Sequence, residues 1–134
     1  MKILYIHNEY ARPSGEEHAA GELVSLLQEH GYEVRWFKRS SAEITGSRLG
    51  MVKSFFTGIY NPSSSRQLAI ALDDFRPDIV QVQNLYPLLS TSIFKPLKDR
   101  YIPVVMRCPN YRLFCPNGLC LDNYGEVCEK CFSG

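Results

Sequence analysis

Met1-Lys2-Ile3-Leu4-Tyr5-Ile6-His7 opens the chain with one cation and then a near-continuous apolar run. A run without polar alternation suits a strand covered on both faces, as in a parallel sheet flanked by helices. Polar residues follow at once, and Ala20, Leu23, Val24 and Leu27 then recur at helical spacing between Gly15 and His30. Ser14 reads as the N-cap of that helix and Gly31 as its stop. Over residues 32–37, Val34 and Trp36 or Phe37 alternate with charged residues, which predicts a second strand near a sheet edge. Strand, helix and strand are complete by residue 38, and that unit decides the fold.

The rest of the chain repeats the alternation. Over 39–60, Ser40, Ser41, Gly46, Ser47, Gly50 and Gly58 interrupt the apolar residues, so a loop with one short helix is expected. Asn61-Pro62-Ser63 has the form of a helix start, since Asn caps well and Pro suits the first turn. Leu68, Leu72 and Phe75 then share one helical face, and Pro77 ends the helix. Residues 78–83 predict a strand, 88–99 a helix disturbed at Pro96, and 102–106 another strand. The expected class is α/β, a Rossmann-like doubly wound parallel sheet. Residues 1–107 form the domain, and 108–134 form a cysteine-rich loop extension of it.

Composition narrows the function classes. The chain has 134 residues, 45% hydrophobic and 22% charged, with a net charge of +1. That is enough for one core, and the balance gives no electrostatic surface for nucleic acid. The opening apolar run is too short for a signal peptide or a membrane span, so a cytoplasmic location is expected. The five cysteines are odd in number and lie between Cys108 and Cys131, whereas a secreted disulfide framework would spread them through the chain. Cys115 and Cys120, with Cys128 and Cys131, supply paired thiols that turns would bring around a tetrahedral zinc. Reduced structural thiols are the alternative, with redox chemistry a third reading, and Cys108 is expected to be a buried thiol at a strand end.

In an open parallel sheet ligands bind at the carboxyl ends of the strands, which points to residues 7–17, the loop after Lys38, 83–90 and 107–112. Gly15 beside Ser14 puts free backbone N–H groups at a helix start, a geometry that meets phosphate. The structural alternative is an ordinary turn in which Glu16 and Glu17 favour the helix dipole. Asn84 and Asn110 are either ligand contacts or turn formers, and Arg112 either a contact or a surface cation. A G-x-G-x-x-G fingerprint, a Walker A loop and a serine nucleophile elbow are all missing from the sequence.

Four stretches carry a resemblance. They are His7-Asn8-Glu9-Tyr10, Ser14-Gly15-Glu16-Glu17-His18, the block from Pro77-Asp78-Ile79 through Asn84-Leu85-Tyr86-Pro87 to Ser90, and Pro103-Val104-Val105-Met106 leading to Asn110-Tyr111-Arg112-Leu113. Together they resemble the N-terminal domains of family-4 retaining glycosyltransferases. Cys115-Pro116-Asn117-Gly118 and Cys128-Glu129-Lys130-Cys131 resemble one cysteine-bearing branch of them.

The resemblance implies one half of a GT-B fold, the half that holds the acceptor, a glycan or lipid-linked saccharide. A nucleotide-sugar donor would be bound mainly by a C-terminal domain that these residues do not include, so the isolated chain is expected to be inactive. Gly15 matches the second glycine of the family's turn near the donor diphosphate, and Ser14 replaces the first. His7, Asn8, Glu17, Asn84, Asn110 and Arg112 are the expected substrate-binding residues. The family's histidine after the fourth strand is replaced by Pro109, and its paired histidines by Gln81 and Gln83, so no catalytic residue is assigned. Those replacements favour the alternative, a non-catalytic glycan- or protein-binding module stabilised by zinc and cysteine. The resemblance also suggests polysaccharide biosynthesis, peripheral association with the inner face of the membrane, and self-association through the uncovered cleft face.

Overall fold

β1 (Lys2–Glu9) is the strand on which the sheet is built, because its backbone is hydrogen-bonded on both edges. On one side it pairs in parallel with β2 (Glu33–Ser40), from Lys2 opposite Glu33 to Glu9 opposite Ser40. On the other it pairs in parallel with β3 (Ile79–Asn84), which in turn pairs with β4 (Val104–Met106). The order is β2-β1-β3-β4, all parallel. These elements come from a computed structural model that describes residues 1–9, 15–40, 59–85, 88–108, 111, 115 and 117–131.

Alternation along β1 divides the core in two. Leu4 and Ile6, with Val80 and Val82 of β3, face α2 (Pro62–Phe75) and α3 (Phe94–Asp99), where Leu68, Leu72, Phe75, Leu89, Ile93 and Leu97 complete a buried cluster. Tyr5 faces the other way, onto Ala20 and Val24 of α1 (Gly15–Glu29), with Leu23, Val34 and Trp36 packed around them. Helices therefore cover both faces, which is why β1 reads as an apolar run without alternation.

The helix ends follow their sequence signals. Gly31, at φ 79, closes α1: its N–H reaches the Gln28 carbonyl at 2.9 Å and the Tyr32 N–H reaches Leu27 at 3.1 Å. This is the paired Schellman arrangement that only a left-handed residue permits without strain. Asn61 caps α2 by accepting from Ser64 N at 3.1 Å, with Pro62 in the first turn. Arg76, at φ 51, ends α2 and donates its N–H to Leu72, one residue before Pro77. The proposed cap at Ser14 lies outside the described residues, as do 41–58 of the expected loop.

Three expectations need correction. β2 does not stop at Phe37 but runs to Ser40, because Asn8 and Glu9 of β1 continue the ladder opposite Arg39 and Ser40. The helix expected over 88–99 is instead a turn, a single 3-10 turn at Thr91–Ile93 and then α3. Ser90, at φ 57, breaks the path and caps that 3-10 turn through its hydroxyl. Pro96 thus falls in the first turn of α3, where an amide has no intrahelical acceptor to lose. Cys108 is exposed, not buried, because it follows an edge strand whose three residues are themselves exposed.

The described residues of the tail are built of turns. Leu121 and Val127 form an isolated antiparallel bridge around Gly125, at φ 82, and Asp122 accepts from the amides of Tyr124 and Glu126 at 2.8 and 3.0 Å. Asn117 accepts from Leu119 N at 2.9 Å and donates to Leu121 O at 2.6 Å. Side chains that imitate backbone turns take the place of an apolar core here.

Candidate functional site at the carboxyl ends of the first and third strands

The chain leaves β1 toward β2 on one side and returns to β3 on the other, so the topological switch point lies between β1 and β3. In open parallel sheets that point is where ligands enter, outside the carboxyl ends. A register shift occurs at the same place: Ile6 pairs with Val82 but His7 pairs with Asn84, so β3 carries Gln83 as an extra residue. Bulges re-aim side chains at strand ends.

His7 is 1% exposed, and neither ring nitrogen has a hydrogen-bond partner. Its Nε2 lies 3.8 Å from Oε1 of Glu17 in the first turn of α1, longer than a hydrogen bond. Trp36 of β2 meets the imidazole edge-on at 6.4 Å between ring centroids. Burial pulls the His7 pKa below its ordinary value; Glu17, Glu9 and Glu16 oppose this, while Lys38 adds to it. Lys38 is itself tied to Glu9 at 2.8 Å and rests 4.1 Å over the Trp36 ring.

The neutral ring has a consequence for stability. Unfolded His7 takes a proton near pH 6.5, whereas the folded ring takes it only at lower pH, so in that interval the unfolded chain binds more protons. His7's contribution is therefore complete above 6.5 and is lost as pH falls through the folded value. Urea unfolding across a pH series is expected to show stability falling with acid below that point, with a shallower fall for His7→Phe.

Asn8 and Asn84 behave differently from His7. Asn8 is fully buried, and its Oδ1 accepts from the Leu88 amide at 3.1 Å. Asn84 donates its Nδ2 to the Asn8 carbonyl at 3.0 Å. Both side chains bind backbone: Asn84 ties the end of β3 to that of β1, and Asn8 ties β1 to the turn after β3. Gly15 starts α1, but a Cβ built on it meets nothing within 4 Å, so the described neighbours do not require a glycine there. Ser14, Asn110, Arg112 and Pro109 lie outside the described residues.

Sequence reasoning missed a polar row beside His7. The Tyr5 hydroxyl donates to Gln83 Oε1 at 3.0 Å, and Gln83, 2% exposed, leaves its Nε2 without a partner. Burial raises the Tyr5 pKa, opposed by the charge of Arg107 just beyond β4. Apolar alternation hides such a row, since Tyr5 reads as core and Gln83 as a strand polar residue. Two cavities lie elsewhere. One of about 420 Å³, lined by Leu72, Asp73, Arg76, Pro77, Arg100 and Ile102, is at the amino ends of β3 and β4. The other, of about 490 Å³, lies against the tail hairpin.

Cys115, Cys120, Cys128 and Cys131 flank that hairpin. The Cys128 amide donates to the Cys120 carbonyl at 2.8 Å, which puts these two backbones side by side. The Cys115 thiol donates to Asn117 Oδ1 at 2.9 Å. Burial works against a Cys115 thiolate, yet hydrogen bonds from the Cys120, Asn117 and Gly118 amides hold its pKa below the usual thiol value. Burial and then Cys115 push Cys120 up, with Cys131 and Cys128 adding to the effect. All five cysteines are free thiols. Among the described residues no group of three or more His, Cys, Asp and Glu is arranged to hold a metal ion.

The described residues thus form an α/β chain with buried, partly unsatisfied polar groups at its switch point. Comparison with protein-family models, with curated proteins and with solved structures gives no match. Among the described residues no helix is long and apolar enough to cross a membrane.

Proposed function

We propose that this chain is the acceptor-side, Rossmann-like domain of a retaining sugar-nucleotide glycosyltransferase. The observation that carries the reading is His7, a buried imidazole with both nitrogens unpartnered, at the carboxyl end of the central strand of a parallel sheet. A buried polar group without a partner costs about 1–3 kcal/mol, so its retention at a ligand-entry point favours a binding role. The motifs around His7 and Asn84 that resemble family-4 glycosyltransferases supply the substrate class.

In this reading the chain positions the acceptor and a second domain holds the nucleotide sugar. The acceptor oxygen forms the new bond to the anomeric carbon, the bond from that carbon to the diphosphate oxygen breaks on the same face, and the acceptor proton leaves with the diphosphate. His7, Glu17 and the backbone held by Asn8 and Asn84 would orient the acceptor. A second reading, a binding module without chemistry, is favoured by Gln83: where the family has a histidine, its amide oxygen is engaged by Tyr5.

The test joins this chain to a donor-binding domain and follows transfer from nucleotide sugars by the anomeric NMR signals of the product. Transfer with retention is expected from the joined protein, and no tight nucleotide-sugar binding from the chain alone. Micromolar donor binding by the 134 residues alone would overturn the division of labour. Glycan binding without transfer by the joined protein would select the non-catalytic module.

A further inference from the structure

His7 and Gln83 are neighbours by construction. Tyr5 and His7 alternate onto the same face of β1, as Trp36 shows by meeting both rings, at 4.7 Å from Tyr5 and 6.4 Å from His7. Gln83 is on that face too, since Tyr5 hydrogen-bonds it. As the extra residue of the bulge, it falls between the positions paired with Ile6 and His7. Among the described residues, Nδ1 and Nε2 of His7 and Nε2 of Gln83 therefore lack partners on this face of the sheet.

Their chemistry is complementary. Glu17 lies on the Nε2 side of His7, so a carboxylate there favours the tautomer with its proton on Nε2. That leaves Nδ1 as an acceptor, while the Gln83 amide nitrogen is a donor. One acceptor and one donor on the same face of adjacent strands match a hydroxyl, which can give one hydrogen bond and receive another. They do not match an anion, for which Nδ1 offers no proton and near which Glu16 and Glu17 add negative charge while Lys38 is paired with Glu9.

We propose that His7 and Gln83 form a hydroxyl-binding pocket that takes one hydroxyl of the carbohydrate acceptor, His7 Nδ1 accepting its proton side and Gln83 Nε2 donating to its oxygen. The proposal rests on the acceptor-side reading and assigns both residues as positioning groups; neither takes the proton away. Water offers the same hydroxyl chemistry, so the experiment separates the two sources.

The full chain, labelled with ¹⁵N, is titrated with a panel of free monosaccharides and methyl glycosides at millimolar concentration. Long-range proton–nitrogen spectra report the His7 ring, and amide spectra report the Gln83 side chain. One saccharide is expected to move both signals together and saturably, and His7→Phe and Gln83→Leu are each expected to weaken it about tenfold. His7→Gln, which keeps a polar side chain, checks that any loss is not unfolding, with circular dichroism on every variant. Saturable saccharide binding that leaves both signals unmoved overturns the pocket while leaving the acceptor reading intact. A water cross-peak to His7 with no response to any saccharide overturns it as well and makes the pocket a structural water site only. The acceptor reading is judged separately, by transfer in the joined protein.

Discussion

Phe75→Ala is expected to lower the unfolding free energy by about 3–5 kcal/mol, the usual cost of emptying an aromatic site in a packed core. Phe75 is 1% exposed at the end of α2 and belongs to the cluster that joins α2 to Leu4 and Ile6 of β1 and to Val80 and Val82 of β3. Its ring does more than fill volume. Nζ of Lys2 lies 5.3 Å from the ring centroid and the Arg35 guanidinium 4.4 Å from it, so one side chain seals the core beneath two strands and meets cations over its ring. Arg35 also pairs with Asp74. Alanine would open a cavity and leave both cations without that face. Urea denaturation is the measurement, with Ile70→Ala on the same helix as the control. Ile70 is 63% exposed, and its loss is expected to stay within about 0.5 kcal/mol. Similar effects from the two variants would contradict the assignment of the core face.

Asn61→Ala is expected to cost about 2–3 kcal/mol, from loss of the cap and of a partner for a buried carbonyl together. Asn61 is 5% exposed, and each of its groups is engaged. Its Oδ1 caps α2 at the Ser64 amide, its Nδ2 donates to the Leu88 carbonyl at 2.5 Å, and its own amide donates to Ser90 Oγ at 3.0 Å. Ser92 Oγ donates to the Asn61 carbonyl at 2.8 Å, and Ser64 Oγ reaches Leu88 O at 2.8 Å. Alanine removes the cap and one donor to Leu88, whose second donor, Ser64, limits the damage. Asn61→Asp separates the two contributions: it keeps the capping oxygen but sets a carboxylate against the Leu88 carbonyl. It is expected to be no better than alanine at neutral pH, and near-wild-type stability for it would show that the cap alone carries the effect.

This network also explains which parts of the fold were legible in the sequence. β1, α1 and β2 depend on local signals, an apolar run, helical spacing and Gly31, and these have local physical causes. The start of α2 is legible for the same reason, since Asn61 and Pro62 act on their own helix. The 88–99 stretch is not, because the break at Ser90 is fixed by hydrogen bonds to Asn61, far away in sequence. Spacing cannot report a turn that a distant helix cap imposes. Cys108 misled in the same way: its residue type suggests burial, but the edge position of β4 decides exposure.

The candidate site divides along similar lines. The carboxyl ends of β1 and β3 are readable from topology, and so are His7, Asn8, Glu17 and Asn84 as their occupants. What each does is not. Asn8 and Asn84 bind backbone, while His7 stays unpartnered beside the register shift at Gln83. A one-residue bulge leaves no mark in hydrophobic periodicity when the extra residue is glutamine in a polar-flanked strand. Gly15 is legible as a helix start, whose first turn carries Glu16 and Glu17, but its described surroundings do not themselves require a glycine.

The central place of β1 also bears on how the chain acquires its structure. Pairing with β2 closes a short stretch of chain through α1, whereas pairing with β3 needs the whole intervening segment to be gathered in first, an entropic cost met before any contact rewards it. A partly folded state with β1, α1 and β2 in place therefore leaves the other edge of β1 unpaired. Ile3, Leu4 and Ile6 lie along that edge, and until β3 docks it is a ready template for strands of other chains. If β3 docks last, the strand that holds His7 in the finished molecule is the one whose open edge carries the hazard of misassembly.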